Sequence, residues 1–252
     1  MKQSKTTANK SVSTKRQAVR EKRQQRQRQQ RLYILLGIVA IALIIAAILI
    51  VPNLLPAGDI VQITPVSRPM VDGRSLGDPN APVKIDVYED FQCPACRTYT
   101  SDIESQIVDN YVATGKVYYT FRHFPFLDDN AIRKESDQSA NASMCAADQN
   151  RFWDYHDILF ANWDGENQGA FTDKRLVAFA EAIGLDMNTF NDCFNANQFQ
   201  TEIEADLTAG RDTGISGTPS VLVNGRIISP GFVPSYEEIS QAIEAASASP
   251  GN

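Results

Sequence analysis

Twenty consecutive residues without a charge, "LYILLGIVAIALIIAAILIV" from Leu32 to Val51, restrict this chain more than any other stretch. A helix rises about 1.5 Å per residue, so a segment of that length spans roughly the 30 Å hydrocarbon core of a bilayer. A cleavable signal peptide is the rival reading, but its apolar region runs to about 7–15 residues and ends at a small-residue cleavage site. Ala46-Ala47 supplies no obvious site, and Ala57-Gly58-Asp59 behind Pro56 only a weak one. Residues 32–51 are therefore expected to form a single uncleaved transmembrane helix.

Charge gives that helix a direction. Residues 1–31 carry eleven Lys/Arg and one acidic residue, whereas the rest of the chain carries thirteen Lys/Arg and twenty-nine Asp/Glu. Basic flanks stay in the cytoplasm, which sends the acidic body across the membrane. The head, with "EKRQQRQRQQR" and no apolar face, reads as a disordered cytoplasmic tail over 1–31 that is attracted to anionic lipid. It contains no aromatic residue to stack on a base, so no nucleic-acid partner is expected. Residues 52–74, rich in Pro, Gly and Asp, read as a linker. Residues 75–247 are long enough for one domain with a real core.

Only four cysteines are present, and two of them fall in "FQCPAC", Phe91 to Cys96. Ahead of them "APVKIDVYEDFQ" alternates at Val83, Ile85 and Val87 as a strand does. Behind them Ile103, Ile107 and Tyr111 recur at helical spacing up to Gly115. Cys93 thus lies at a strand-to-helix junction, where unpaired N–H groups and the positive end of the helix dipole favour a thiolate. Pro94 suits the first helical turn, and Cys96, one turn on, can close on Cys93. A zinc site would need two more ligands, yet there is no second C-x-x-C and the only histidines are His123 and His156. A purely structural bond would close too short a loop to constrain the unfolded chain much. Redox exchange is the reading that remains, with no metal and no organic cofactor implied.

Further along, Lys116 to Phe124 has strand composition, followed by helical patterns over 131–159, 173–183 and 187–207. "SVLV" and "RII" flank Asn224-Gly225, a hairpin turn signal. Ser235 with Glu238 forms a capping box ahead of Ile239, Ala242, Ile243 and Ala246 on one helical face. Phe152, Trp153, Tyr155 and His156 read as core, and His123 as a strand histidine outside the chemistry. Cys145 and Cys193 both fall in the helical block. In an extracytoplasmic domain they are expected to form a structural disulfide between two helices, against the alternative of two buried free thiols.

The ordered set "EDFQCPAC" (Glu89–Cys96), "FRHFPF" (Phe121–Phe126), "CAADQNRFWDYHDILF" (Cys145–Phe160) and "GISGTPSVLVNG" (Gly214–Gly225) resembles the thioredoxin superfamily, and within it the DsbA-like thiol:disulfide oxidoreductases. The resemblance implies an α/β thioredoxin fold with an inserted helical subdomain at about 127–209. It makes Cys93 the nucleophile, Cys96 the resolving thiol, Pro94 and Ala95 the active-site loop, and Thr218-Pro219 a cis-proline loop that receives an extended substrate strand. Asp90 would be a tuner of the pair, or else a solvated strand-end carboxylate. The implied activity is donation of the Cys93–Cys96 disulfide to reduced or misoxidised extracytoplasmic proteins, with a membrane reoxidase of DsbB or VKOR type as partner. A reductase or isomerase, and an anchored client-binding module, are the alternatives. One departure bears on direction: Ala95 stands where the best-known DsbA enzymes carry histidine, so a less acidic Cys93 and a less oxidising disulfide are expected.

Overall fold

The computed structural model describes residues 4–54, 57–129, 131–132 and 134–248, which divide into two units, 1–56 and 57–252. In the first, a single helix α1 (Ser4–Leu54) contains a segment, Arg26–Ile48, long and apolar enough to cross a membrane and with none of its apolar window buried. The basic head, expected to be disordered, continues this helix from Ser4. Its Gln, Arg, Lys and Glu residues are good helix formers, and no Pro or Gly interrupts them before Gly37.

The second unit is built on a six-stranded sheet of order β1 (Val71–Asp72), β2 (Ser75–Leu76), β4 (Val117–His123), β3 (Val83–Glu89), β5 (Ser220–Val223), β6 (Arg226–Ile227). Only β3 and β4 run parallel, in register from Val83 opposite Val117 to Glu89 opposite His123. The crossover between them is helical: α2 (Pro94–Tyr99) runs on through a widened π turn (Thr100–Glu104), α3 (Ser105–Ile107) and a second π turn (Val108–Val112). Val83, Ile85 and Val87 of the central strand are buried, as the alternation requires. Tight packing at the sheet's end leaves no room for a side chain at Gly77, where φ is +94° and a Cβ would lie 2.5 Å from the Val117 carbonyl oxygen.

Between β4 and β5 stand α4 (Glu135–Ala147), α5 (Phe152–Ala161), α6 (Asp173–Ala182), α7 (Met187–Asn195) and α8 (Gln200–Thr213). Two stretches read as single helical patterns are each broken in two, at turns where Asn150 (φ +56°) and Asn197 (φ +48°) take left-handed conformations. Asparagine tolerates that geometry better than other non-glycine residues. Asn224 (φ +47°) and Gly225 (φ +78°) make the β5–β6 turn, and α9 (Tyr236–Ala248) opens with reciprocal bonds between Ser235 and Glu238.

Residues 57–74, read as part of a linker, lie on the domain instead. Asn162 accepts a bond from the Val61 N–H at 2.8 Å and donates one to its carbonyl at 2.9 Å, while Arg175 donates to the carbonyls of Ala57 and Asp59. Arg68 grips Asp157 with both guanidinium arms at 2.8 and 2.9 Å and stacks 5.0 Å above Trp153. Backbone polar groups that a free linker would leave to water are satisfied by the domain here.

Candidate active site

Strand β3 runs into a three-residue loop, Asp90-Phe91-Gln92, whose shape sets the position of Cys93. Every residue of the loop is buried, and its polar groups are closed from three directions. Asp90 accepts from the Gln92 N–H, the Ser136 hydroxyl of α4 and the Leu127 N–H. The Gln92 amide donates to Ser136 and Asp128 and accepts from the Asn167 N–H, while its carbonyl accepts from the Trp163 indole at 2.7 Å. Phe91 stacks on Phe121. Asp90 is therefore no solvated carboxylate: burial raises its carboxyl to about 7, against the bonds it accepts. Its two oxygens serve the loop that leads into Cys93.

Cys93 is the N-cap of α2, with φ −74° and ψ 122°, and Pro94 occupies the first helical position. Both Cys93 and Cys96 are free thiols, Cys93 6 % exposed and Cys96 fully buried. That difference separates their acidities. The Cys93 thiol is brought down to about 6, first by the hydrogen bond from the Cys96 thiol, then, against the opposing cost of burial, by the neighbouring Thr218 and the N–H groups of Cys96 and Ala95. Burial, followed by the bond to Cys93 and the nearby Glu89, pushes Cys96 well above the usual thiol range. One sulfur is thus disposed to be a thiolate and the other a thiol.

The Thr218–Pro219 peptide is cis, and the Thr218 carbonyl lies 3.3 Å from the Cys93 sulfur. Beyond it a cavity of about 260 Å³ is lined by Ile215, Thr218, Pro219, Ile227, Phe232 and Val233, with Phe232 79 % exposed. On the other side of the pair Arg97 donates to the Phe160 carbonyl and lies over the Trp163 ring. The cysteines, Pro94, Ala95, Thr218 and Pro219 are thus brought to one place. Cys145 and Cys193 are not part of it: they form a disulfide between α4 and α7 with Cα atoms 5.8 Å apart. His123 is fully buried among Phe91, Phe121 and Phe152, and burial drives its imidazole to the neutral form.

Sequence reasoning missed the acid beneath the pair. Glu89, the last residue of β3, is 1 % exposed, and neither carboxyl oxygen has a hydrogen-bond partner. Burial, then the charges of Glu104 and Cys93, raise its carboxyl well above the ordinary range. Among the described residues, Glu89, Glu104 and His156 form the one group whose donor atoms, all within 4.8 Å of one another, could share a cation. The period-two pattern of β3 contained the signal, since Glu89 falls on the same face as the core residues Val83, Ile85 and Val87.

A family model described as thioredoxin matches residues 70–245. The chain is 29 % identical over 163 residues to a probable disulfide bond formation protein D of Bacillus anthracis, covering 63 % of this chain and 73 % of that one. The crystal structure of oxidised BdbD from Bacillus subtilis superposes with a TM-score of 0.61 at 26 % identity, covering 76 % of this chain and all of that one. Wolbachia pipientis α-DsbA1 shares the fold, with a TM-score of 0.59 at 23 % identity over 70 % of this chain and 92 % of that one.

Proposed function

From the premise that the chain belongs to the thioredoxin family, as a DsbA-like thiol:disulfide oxidoreductase acting on proteins with cysteines, we propose that it is a membrane-tethered oxidase working outside the cytoplasm. The opposite acidities of Cys93 and Cys96 carry this reading. A substrate thiolate attacks the Cys93 sulfur of the Cys93–Cys96 disulfide, and Cys96 leaves as a thiolate that takes up a proton. A second substrate thiolate then attacks the substrate sulfur of the mixed disulfide and expels Cys93 as a thiolate. The substrate leaves oxidised by two electrons, and the enzyme keeps Cys93–S⁻ and Cys96–SH. Whatever stabilises the Cys93 thiolate stabilises this reduced product, so the disulfide becomes a better oxidant.

Pro94 and Ala95 shape the turn that presents Cys93, and Thr218 with Pro219 offers backbone groups to an extended substrate segment. Phe232 and Val233 line the neighbouring cavity and suit an apolar side chain of that segment. α1 anchors the protein in the cytoplasmic membrane with its basic head on the cytoplasmic side, against anionic lipid. Turnover needs a membrane reoxidase for the Cys93–Cys96 pair, of the DsbB or VKOR type. A reductase or isomerase is the second reading, favoured by one observation: with Ala95 rather than histidine, the Cys93 value of about 6 lies nearer thioredoxin's, about 7, than DsbA's, about 3.5.

The test is a trap. In the full chain with Cys96→Ser, membrane-exposed proteins should accumulate as reducible adducts on Cys93. Absence of adducts with both reduced and oxidised clients would remove exchange at this pair.

A further inference from the structure

Beneath the cysteine pair, three buried side chains from three different elements bring their polar atoms together: Glu89 from the end of β3, Glu104 from the first π turn of the active-site helix, and His156 from α5. Their donor atoms all lie within 4.8 Å of one another. Both oxygens of Glu89, Oε2 of Glu104 and Nε2 of His156 have no hydrogen-bond partner among the described residues. The other nitrogen of His156 fixes its tautomer. Nδ1 lies 2.9 Å from Oδ1 of Asp157, and that carboxylate, gripped by both arms of Arg68, can only accept. Nδ1 therefore carries the hydrogen, and Nε2 presents a lone pair to Oε2 of Glu104 at 3.6 Å, farther than a hydrogen bond reaches. A lone pair set against a carboxylate oxygen in a fully buried place repels unless positive charge lies between them. Arg68 does not supply it there, since its guanidinium is engaged with Asp157 and stands 3.6 Å from the other Glu104 oxygen, Oε1.

We infer that Glu89, Glu104 and His156 form a buried site for one divalent transition-metal ion, with Zn²⁺ the best match. Spacing supports it. Zn–N and Zn–O bonds of about 2.0–2.2 Å set the ligand atoms of a tetrahedron about 3.3–3.6 Å apart, and the Glu104 to His156 separation of 3.6 Å already meets that. Charge supports it too, because a divalent ion balances the two carboxylates while Arg68 and Asp157 balance each other. The bond from His156 Nδ1 to Asp157 is the arrangement in which a carboxylate orients a metal-bound imidazole, and Arg68 holds that carboxylate in turn. An imidazole among only three protein donors does not suit Ca²⁺ or Mg²⁺, which take more ligands and take them as oxygen. Water completes the tetrahedron. The ion would join β3, the active-site helix and α5, and so hold the helix that bears Cys96 against the sheet. Because the site is closed to solvent, the ion enters as the chain folds and leaves slowly. Nothing in this assignment depends on exchange at Cys93–Cys96.

The experiment measures Zn²⁺ in the full chain, expressed in medium supplemented with ZnCl₂, purified in detergent without a polyhistidine tag, and oxidised at Cys93–Cys96 so that no thiolate competes for the metal. About one Zn²⁺ per chain should survive dialysis against metal-free buffer. Glu104→Gln and His156→Gln should each retain at least tenfold less. Stripping the ion with a chelator should lower the Tm of wild type and leave that of the variants in place. Wild type that retains no Zn²⁺, or undiminished retention in either variant, would overturn the site. Should the variants fail to fold, X-ray absorption at the zinc edge of wild type decides: one imidazole with oxygen neighbours is expected, and sulfur in the shell overturns the assignment. Retention of Ca²⁺ or Mg²⁺ in place of Zn²⁺ would overturn it as well.

Discussion

The two cysteine pairs of this domain are built for opposite ends. Cys145 and Cys193 are bonded across two helices and 48 residues of chain, so their bond removes much of the unfolded chain's freedom, by a loop-closure estimate about 4 kcal/mol. Cys93 and Cys96 are three residues apart, and the same estimate gives about 2 kcal/mol or less, while the site around them favours the thiolate form of Cys93. A disulfide far apart in sequence and remote from a charged site holds a fold together. One closed over a helix start, beside a stabilised thiolate, is placed for exchange. The lesson is that position in the fold, more than the S–S bond itself, decides what a cysteine pair does.

The comparison can be broken most decisively by exchanging the roles. Cys93→Ser should reduce disulfide exchange with a reduced client by on the order of a thousandfold, whereas replacing Cys145 and Cys193 together should change the rate only about threefold or less. The reverse pattern, in a fluorescence assay of client oxidation, would refute the division of labour. Stability should show the opposite ordering. Loss of the Cys145–Cys193 bond should cost about 2–4 kcal/mol in denaturant unfolding. Selective reduction of Cys93–Cys96 should cost less than about 2 kcal/mol, because the stabilised Cys93 thiolate offsets the lost loop closure, and a larger loss there would mean that this pair is structural.

Acidity sharpens the contrast further. Iodoacetamide should alkylate Cys93 with a midpoint near pH 6, the rate falling about tenfold per unit below it as the thiolate is protonated. Because the folded value lies below the free thiol's, stability of the reduced domain should also decline as pH falls from about 9 to about 6. A midpoint near 9 would leave Cys93 an ordinary thiol. The smallest effect is expected from Ala95→His, which adds a further donor to the thiolate. It should raise the reduction potential by roughly 30 mV, a tenfold shift in the exchange equilibrium, with unfolding unchanged.

Much of this architecture was legible from short patterns: the alternation of β3, the C-x-x-C at its end, the Asn224-Gly225 turn, and the Ser235–Glu238 box each encode local geometry that tertiary packing only completes. What was hidden depended on contacts distant in sequence. The landing of residues 57–74 on the domain requires Asn162, Arg175 and Asp157, about 90 to 120 residues away, and no periodicity announces it. The breaks at Asn150 and Asn197 were masked because apolar spacing continues across them. At the site, the acidity of Cys93 without a histidine at position 95 comes from Cys96, Thr218 and backbone N–H groups, and a sequence displays none of that geometry. Strand alternation alone places Glu89 with the core, but only the folded site shows that its carboxyl has no hydrogen-bond partner there.

The reduction potential of the Cys93–Cys96 pair tests the central claim most directly. The full chain would be equilibrated against a glutathione series, with the Cys145–Cys193 bond followed separately by mass. An oxidase predicts a potential clearly above thioredoxin's, about −270 mV, and toward DsbA's, about −120 mV, with Cys145–Cys193 still oxidised throughout the range. A value at or below about −270 mV would contradict the account and make the protein a reductase in need of an electron donor.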